Sequence, residues 1–167
     1  ALVTTYMATF GVIISCIIGF TVGTLCFQNK SSASFMLGVC DIFQTFPSFV
    51  YLIPVMMLFG ITDTSVLIAV IVYATIPATR YTIEGLRSVP TALHDAATMS
   101  GVTKFQRLFK IEFPLAFPHM MLGLNQTIVF ALFMVIIGAF IGTEDLGQYI
   151  LKALSDKNGA GIGLTLG

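Results

Sequence analysis

Four polar side chains stand inside long apolar stretches of this chain: Asp41, Gln44, Asn125 and Gln126. Polar groups cost free energy in hydrocarbon, so a functional role is the first hypothesis for them. Both pairs lie about six to nine residues into their stretches, which is roughly 9–14 Å along an α-helix. We expect them to hydrogen-bond across two helices and to line or gate the cytoplasmic half of a path for a polar solute. The alternative is that they only join helices and satisfy backbone groups freed by Pro47.

The same hypothesis includes Thr45, Pro47 and Tyr51, which follow Gln44 along the chain. Aromatic rings in this stretch could contact a quaternary ammonium group through cation–π interactions. The chain has 15 phenylalanines, however, and packing or lipid contact is the commoner role for such rings.

Groups that would catalyse a reaction do not form a recognisable pattern. The sequence contains no Gly-x-x-x-x-Gly-Lys-[Ser/Thr] phosphate loop, and His94 and His119 are too far apart to be a local ligand pair. Cys16, Cys26 and Cys40 lie in apolar stretches, so we expect free thiols rather than a disulfide or a metal site. We predict that the chain is not an enzyme and holds no cofactor. Its formal net charge of zero also gives no reason to expect nucleic acid as a partner.

Membrane-spanning helices must position these side chains. The chain is 56% hydrophobic and 10% charged, against about 25% charged in an ordinary soluble domain, and a spanning helix needs about 20 apolar residues. We predict an all-α, polytopic helical bundle of about five spans, in which residues 1–167 form one transmembrane domain. We also expect this chain to be an internal fragment of a longer protein. The candidate spans cover residues 2–27, 35–59, 65–79 and 119–141, with a truncated fifth beginning at 159.

Glycines and prolines refine two of these spans. Gly11, Gly19 and Gly23 give the first span a small-residue edge that allows another helix to approach closely. Pro47 and Pro54 predict a kink or a break in the second span. The third is short, and we expect it to extend helically through residues 80–87.

The orientation follows from the placement of positive charge. Residues 80–118 hold five of the eight Lys and Arg residues, and positive loops stay cytoplasmic. Alternating four spans places this segment on the same side as Lys30, whereas Lys152 and Lys157 fall on the other. We therefore predict a multi-pass protein of the cytoplasmic membrane, with residues 80–118 as a cytoplasmic loop.

The cytoplasmic loop begins with a predicted short helix. Pro90 suits a first helical turn, and Leu93, Ala96 and Ala97 then fall on one face. Gly101 suits the left-handed position that ends a helix.

A second short helix follows in the same loop. Thr103 and Gln106 form a capping-box pattern at its start. We expect Pro114 to close this helix and Pro118 to precede the next span. An interfacial amphipathic hairpin that merely connects two spans would show the same pattern.

One motif in this loop makes the interpretation more specific. Asp95-Ala96-Ala97, three residues, Gly101, nine residues and then Ile111-Glu112-Phe113-Pro114 resembles the EAA loop of binding-protein-dependent ABC importer permeases. The family pattern is Glu-Ala-Ala, three residues, Gly, nine residues, Ile, any residue, Leu-Pro. Asp95 and Phe113 depart from it but remain a carboxylate and a large apolar residue. Residues 44–54, 123–127 and 145–148 are similar to the glycine betaine, proline betaine and choline branch.

The resemblance implies a transport subunit that is driven by an ATPase on another chain. In that family the loop forms coupling helices that sit in a cleft of the cytoplasmic ATPase, which holds the ATP and Mg²⁺. The resemblance also implies an extracytoplasmic substrate-binding protein, a second permease copy in a homodimer, and the inner membrane of a prokaryote, with membrane lipid around the spans. The positions that match the coupling motif are Asp95, Ala96, Ala97, Gly101, Ile111 and Pro114.

Other functions remain open at this point. A permease of the same superfamily could carry an amino acid or an inorganic anion instead of a methylated amine. An ion-coupled secondary transporter or channel is a different class, but it would have no reason to carry the Asp95, Gly101 and Pro114 spacing. A membrane-embedded enzyme would need reactive groups that the spans lack.

Overall fold

The computed structural model describes residues 2–141, with side chains from Thr5 to Ala139. In this part of the chain the backbone forms seven α-helices and one π-helical turn. In chain order they are α1 (Leu2–Phe27), α2 (Lys30–Thr45), α3 (Phe49–Phe59), α4 (Asp63–Arg87), α5 (Thr91–Met99), α6 (Lys104–Arg107), the π-helical turn Leu108–Glu112, and α7 (Phe113–Ile141).

Three helical stretches are long and apolar enough to cross a membrane: Thr5–Phe27, Asp63–Arg87 and Lys104–Ala139. The pair α2 and α3 passes the same test when it is counted as one broken span, which makes a fourth. The prediction of an all-α bundle with several spans is confirmed. The predicted connection at residues 142–157 and the fifth span lie outside the described residues.

The predicted break in the second span lies at residues 46–48. Pro47 lacks an N–H group, and its ring disfavours the α conformation in Phe46, so helix α2 ends at Thr45. Pro54 lies inside α3, so only the first of the two prolines interrupts the helix. Helix α2 begins at Lys30 rather than Phe35, because its first turn includes polar residues that an apolar-span criterion leaves out.

The third and fourth spans are longer than the hydrophobic pattern alone predicted. Helix α4 continues through Pro77 to Arg87, which confirms the expected extension. The expectations that Pro114 closes a helix and that Pro118 precedes the next span are wrong, because the chain stays helical from Lys104 to Ile141 and Pro118 lies inside α7. The wide π-helical turn directly before Pro114 explains this continuity: a proline ring clashes with the carbonyl group four residues earlier in a regular α-helix, and a wider turn relieves that clash.

The described chain packs as two compact units. Among the described residues, the first takes in the chain up to Ile14, Phe46–Ala74 and residues 128–141. Its aromatic rings form a row in which Tyr73 lies 5.0 Å from Tyr51 and 4.7 Å from Phe130, measured between ring centroids.

The second unit comprises Ser15–Thr45 and Thr75–Thr127, and it contains the sites discussed below. Glycines allow its helices to approach closely: a Cβ atom on Gly23 would lie 2.7 Å from the Cβ atom of Thr82. Gly19 meets Ala78 in the same way. The small-residue edge predicted for α1 is therefore confirmed at these positions. Leu86, Ala116 and Met120 form a buried cluster in this unit.

Candidate functional site

Helix α5 is held at both ends by local backbone geometry. Pro90 occupies the position just before its first residue, one residue earlier than predicted. At the other end Gly101 has a φ of 69°, the left-handed conformation predicted for it. The Val102 N–H donates to the Ala97 carbonyl group at 3.2 Å, and the Gly101 N–H donates to Thr98 at 3.1 Å. This pair of bonds is the Schellman motif, which stops a helix and turns the chain sharply.

Helix α6 then begins with the capping box that the sequence predicted. The Thr103 side chain accepts a hydrogen bond from the Gln106 N–H group at 3.3 Å, and the Thr103 N–H donates to the Gln106 side chain at 3.1 Å. We call α5, its turn and the continuous segment Lys104–Glu112 the coupling hairpin. We call its two helical segments, α5 and Lys104–Glu112, the arms of the hairpin. The Schellman motif and the capping box lie next to each other, so the turn between the arms has a fixed, hydrogen-bonded conformation.

An open cavity of about 540 Å³ lies between the two arms of the coupling hairpin. Four of the six residues predicted to contact an ATPase line it: Ala96, Ala97, Ile111 and Pro114. Ala97 is buried and Ala96 is exposed. Residues that are 14 or more positions apart in the sequence thus meet on one surface, because the Gly101 turn folds the chain back.

The remaining two predicted coupling residues have different positions. Gly101 forms the turn itself, and no atom lies within 4 Å of where its Cβ atom would be. Asp95 is exposed on α5. Glu112, which follows Ile111, is by contrast 2% exposed.

Glu112 is the functional candidate that the sequence analysis missed. Its Oε1 atom accepts a hydrogen bond from Arg107 Nε at 2.9 Å and lies 3.0 Å from His94 Nδ1. Because His94 belongs to α5 and Arg107 to α6, one buried carboxylate joins both arms of the coupling hairpin. Its position is the variable one of the motif, so only the three-dimensional arrangement identifies it.

A second set of polar contacts joins α2 to α4. Arg80 Nη1 lies 2.9 Å from Asp41 Oδ1 and donates to Gln44 Oε1 at 2.7 Å. Arg80 Nε also donates to Glu84 at 3.0 Å within α4. Arg80 of α4 is therefore the partner of Asp41 and Gln44. The sequence analysis had expected Asn125 and Gln126 of the fourth span in this role.

Arg87 makes a further connection between the same two helices. Its Nη2 atom donates to the carbonyl oxygen of Lys30 at 3.0 Å and to Ser34 Oγ at 2.9 Å. The sequence analysis expected a helix through residues 80–87 but used both arginines only as evidence for the orientation of the chain. In the structure, α4 extends to Arg87 and both side chains contact α2.

The predicted cluster of Asp41 and Gln44 with Asn125 and Gln126 does not form among the described side chains. Asn125 is exposed and Gln126 is half-buried. Helix α7 begins at Phe113 and α2 at Lys30, so Asn125 and Asp41 lie 12 and 11 residues into their helices. The side chains of Asp41 and Gln44 contact Arg80 of α4 instead. That these residues contact a transported solute remains a prediction.

The other predicted pathway residues each have their own local role or contact. Thr45 donates its hydroxyl to the Ile42 carbonyl group at 2.7 Å, which satisfies it within α2. Pro47 forms the helix break, and Tyr51 is buried against Tyr73. Cys16, Cys26 and Cys40 are free thiols, as expected. Among residues 5–139, no group of three or more His, Cys, Asp or Glu side chains is placed to hold a metal ion.

Comparisons with known proteins identify the family of this chain. The family described as "Binding-protein-dependent transport system inner membrane component" matches residues 11–166. The chain is 91% identical, over its full length, to the trimethylamine N-oxide transport system permease protein TmoV of Pelagibacter ubique (strain HTCC1062). It is 36% identical, over 92% of its length, to the glycine betaine/proline betaine transport system permease protein ProW of Escherichia coli (strain K12). The chain spans 23% and 44% of the lengths of these two relatives.

The fold also matches a solved structure, which is titled as inward-facing conformations of the MetNI methionine ABC transporter. The TM-score is 0.81 at 20% identity, and the match covers 99% of this chain and 83% of that chain. At this identity the likeness concerns the fold alone. The multi-pass helical fold, the loop motif and the family match lead to one conclusion: this chain belongs to the binding-protein-dependent transport system inner membrane components.

Proposed function

We propose that this chain forms the ATPase-coupled part of a permease subunit in an ABC importer for a small, fully N-substituted amine. The observation that carries the proposal is the coupling hairpin. Its Ala96 and Ala97 lie on one surface with Ile111 and Pro114, at the spacing that the family uses to contact an ATPase. A connector that only joins two spans would need no such surface.

The hairpin is built to transmit a displacement rather than to absorb it. A Schellman motif and a capping box define its turn, and the buried Glu112 carboxylate contacts both of its arms. The small side chain of the exposed Ala96 lets another protein surface approach the backbone of α5 closely, and the buried Ala97 lets α5 lie close to the other arm of the hairpin. A push on α5 would therefore move the hairpin as one body.

The proposal assigns ATP hydrolysis to another polypeptide. ATP and Mg²⁺ would be held by cytoplasmic ATPase subunits, one against each hairpin of a permease homodimer. An extracytoplasmic binding protein would deliver the solute, and the complex would lie in the cytoplasmic membrane of a prokaryote. The family description names binding-protein dependence and the inner membrane, which supports the binding protein and the membrane location.

The substrate class follows from the relatives. One relative is named for trimethylamine N-oxide and another for glycine betaine and proline betaine. These solutes share a nitrogen that carries formal positive charge, bears no hydrogen and is covered by apolar carbon. The 91% identity to the first relative favours trimethylamine N-oxide as the substrate, with betaines as the next candidates.

Reconstitution tests this proposal. The full-length permease, its ATPase and its binding protein would be placed in liposomes, and ATP hydrolysis and solute uptake would be measured. Trimethylamine N-oxide, glycine betaine and choline would be compared with methionine, a control whose amine carries hydrogens. We expect ATP-dependent uptake of trimethylamine N-oxide above all. Stimulation by methionine alone would overturn the substrate class, and uptake driven by an ion gradient without ATP would overturn the importer class.

A further inference from the structure

The contacts between α2 and α4 repeat at a regular interval. Arg80 and Arg87 are seven residues apart on α4, and their partners Asp41 and Ser34 are seven residues apart on α2. Seven residues correspond to about two helical turns, so each set lies on one face of its helix. Arg80 contacts Asp41, and Arg87, later in α4, contacts Ser34, earlier in α2. The two helices are therefore antiparallel, and polar contacts join them at two positions along their length.

Each guanidinium group bridges two acceptors on α2. Arg80 contacts Asp41 and Gln44, and Arg87 contacts the Lys30 carbonyl oxygen and Ser34. A planar guanidinium group with several donors is preorganised for such bridging, and charge-assisted hydrogen bonds are stronger than neutral ones. Four acceptors spread from residue 30 to residue 44 thus tie nearly the whole of α2 to the C-terminal half of α4.

The same half of α4 leads directly to the coupling hairpin. Only residues 88–90 separate α4 from α5. Ser88 donates through its backbone N–H to Glu84 at 2.9 Å and through its hydroxyl to Gly85 at 2.7 Å, and Val89 is 5% exposed. The connection is short, its first residue is hydrogen-bonded to α4, and its middle residue is buried, although Ser88 and Pro90 are exposed. A displacement of α5 would therefore reach α4 through only three residues.

Helix α2 lies at the other end of this chain of contacts. It ends at Thr45, immediately before the helix break at Pro47. A break is a place where two helical segments can change their relative direction without breaking regular hydrogen bonds.

We propose that Arg80 and Arg87 are positioning residues that make α2 follow the coupling hairpin, so that α4, α5 and α2 move as one lever. The inference rests on the proposed function, because it assigns a mechanical role to a hairpin driven by an ATPase. It also gives Asp41 and Gln44 a role that differs from solute contact: they are the fastening points of the lever on α2.

Transport measurements on the full-length complex in liposomes test the lever. The variants are Arg87→Ala and Arg80→Gln, and the control is Lys30→Ala, which removes a neighbouring charge but leaves the Lys30 carbonyl acceptor in place. We expect both arginine variants to transport about tenfold less solute per ATP hydrolysed, the factor that corresponds to about 1.4 kcal/mol of lost coupling. Basal ATP hydrolysis should stay near that of the unaltered complex. The charge exchange Asp41→Arg with Arg80→Asp should recover part of the loss.

A distance measurement separates the lever from a general folding defect. With native cysteines replaced by alanine, spin labels at Gly38→Cys on α2 and Met99→Cys on α5 report whether these helices move together. We expect one narrow distance distribution that is the same without nucleotide and with trapped ATP, and a broader one in Arg87→Ala. A distance between the two labels that changes with nucleotide in the otherwise unaltered protein would overturn the lever. So would an amount of solute transported per ATP hydrolysed that, in both arginine variants, stays within twofold of the value for the unaltered complex. Absence of any ATP-dependent uptake by the unaltered complex would instead refute the proposed function.

Discussion

Replacing Glu112 by alanine should loosen the coupling hairpin without unfolding the spans. The Glu112 side chain is 2% exposed, and one of its oxygens contacts Arg107 at 2.9 Å and His94 at 3.0 Å. Removing it takes away the contact between α5 and the following helical segment. It also leaves the Arg107 guanidinium group partly buried without this acceptor.

The size of the effect follows from these contacts. A hydrogen bond to a charged group contributes about 1.5–3 kcal/mol, and breaking a fully buried ion pair costs about 3–5 kcal/mol. The side chains of His94 and Arg107 are 24% and 30% exposed, so water can partly replace the lost acceptor. We therefore expect the local opening free energy of α5 to fall by about 2–3 kcal/mol. Glu112→Gln keeps the shape and an acceptor but loses the charge, and it should cost about half as much.

Hydrogen exchange of the α5 amide groups measures this local opening. A fall of about 2–3 kcal/mol corresponds to exchange that is roughly 30- to 150-fold faster over residues 91–99. The matched carboxylate control is Asp63→Asn, which alters an exposed residue in the first turn of α4. Exchange of α5 within twofold of the unaltered protein in Glu112→Ala would refute this account of the hairpin.

The remaining predictions concern backbone positions. Gly19→Ala should lower the thermal stability of the full-length permease, because the new Cβ atom would meet Ala78 and lie 2.9 Å from a backbone nitrogen. Gly38→Ala is the contrasting case: no atom lies within 4 Å of where its Cβ atom would be, so it should raise helix stability by up to about 1 kcal/mol. Gly101→Ala should weaken the hairpin by about 1–2 kcal/mol through its positive φ alone, as faster α5 hydrogen exchange would show. Thr103→Ala removes the capping box and should cost about 1 kcal/mol, so protease cleavage at the turn should increase.

Much of the fold could be predicted because hydrophobic runs and caps are local signals. The uncharged run that became α1, the break at Pro47 and the Thr103 capping box each depend on residues close together in the sequence. The failure at Pro114 has an equally local cause: the π-helical turn before it removes the clash that would end an α-helix. Sequence periodicity at 3.6 residues does not indicate where such a turn will form.

The partners of the candidate site were harder to predict, because they depend on how helices pair. Asp41 was recognised as a polar residue that needs a partner, but Asn125 was expected to be near it rather than Arg80. Arg80 was counted among the positive charges of the cytoplasmic loop, and although residues 80–87 were expected to be helical, the sequence did not indicate that this helix packs against α2. Glu112 gave no signal of its own, since its burial results from the fold of the hairpin.

The central claim is that the coupling hairpin is the surface that an ATPase drives, and crosslinking tests it most directly. In the full complex without native cysteines, Ala96→Cys on α5 would carry a cysteine-reactive photo-crosslinker. Thr62→Cys, just before the first residue of α4, is the control. We predict that Ala96→Cys crosslinks to the ATPase subunit and that Thr62→Cys does not. Equal crosslinking from both positions, or none from Ala96→Cys in a complex that hydrolyses ATP, would contradict the account.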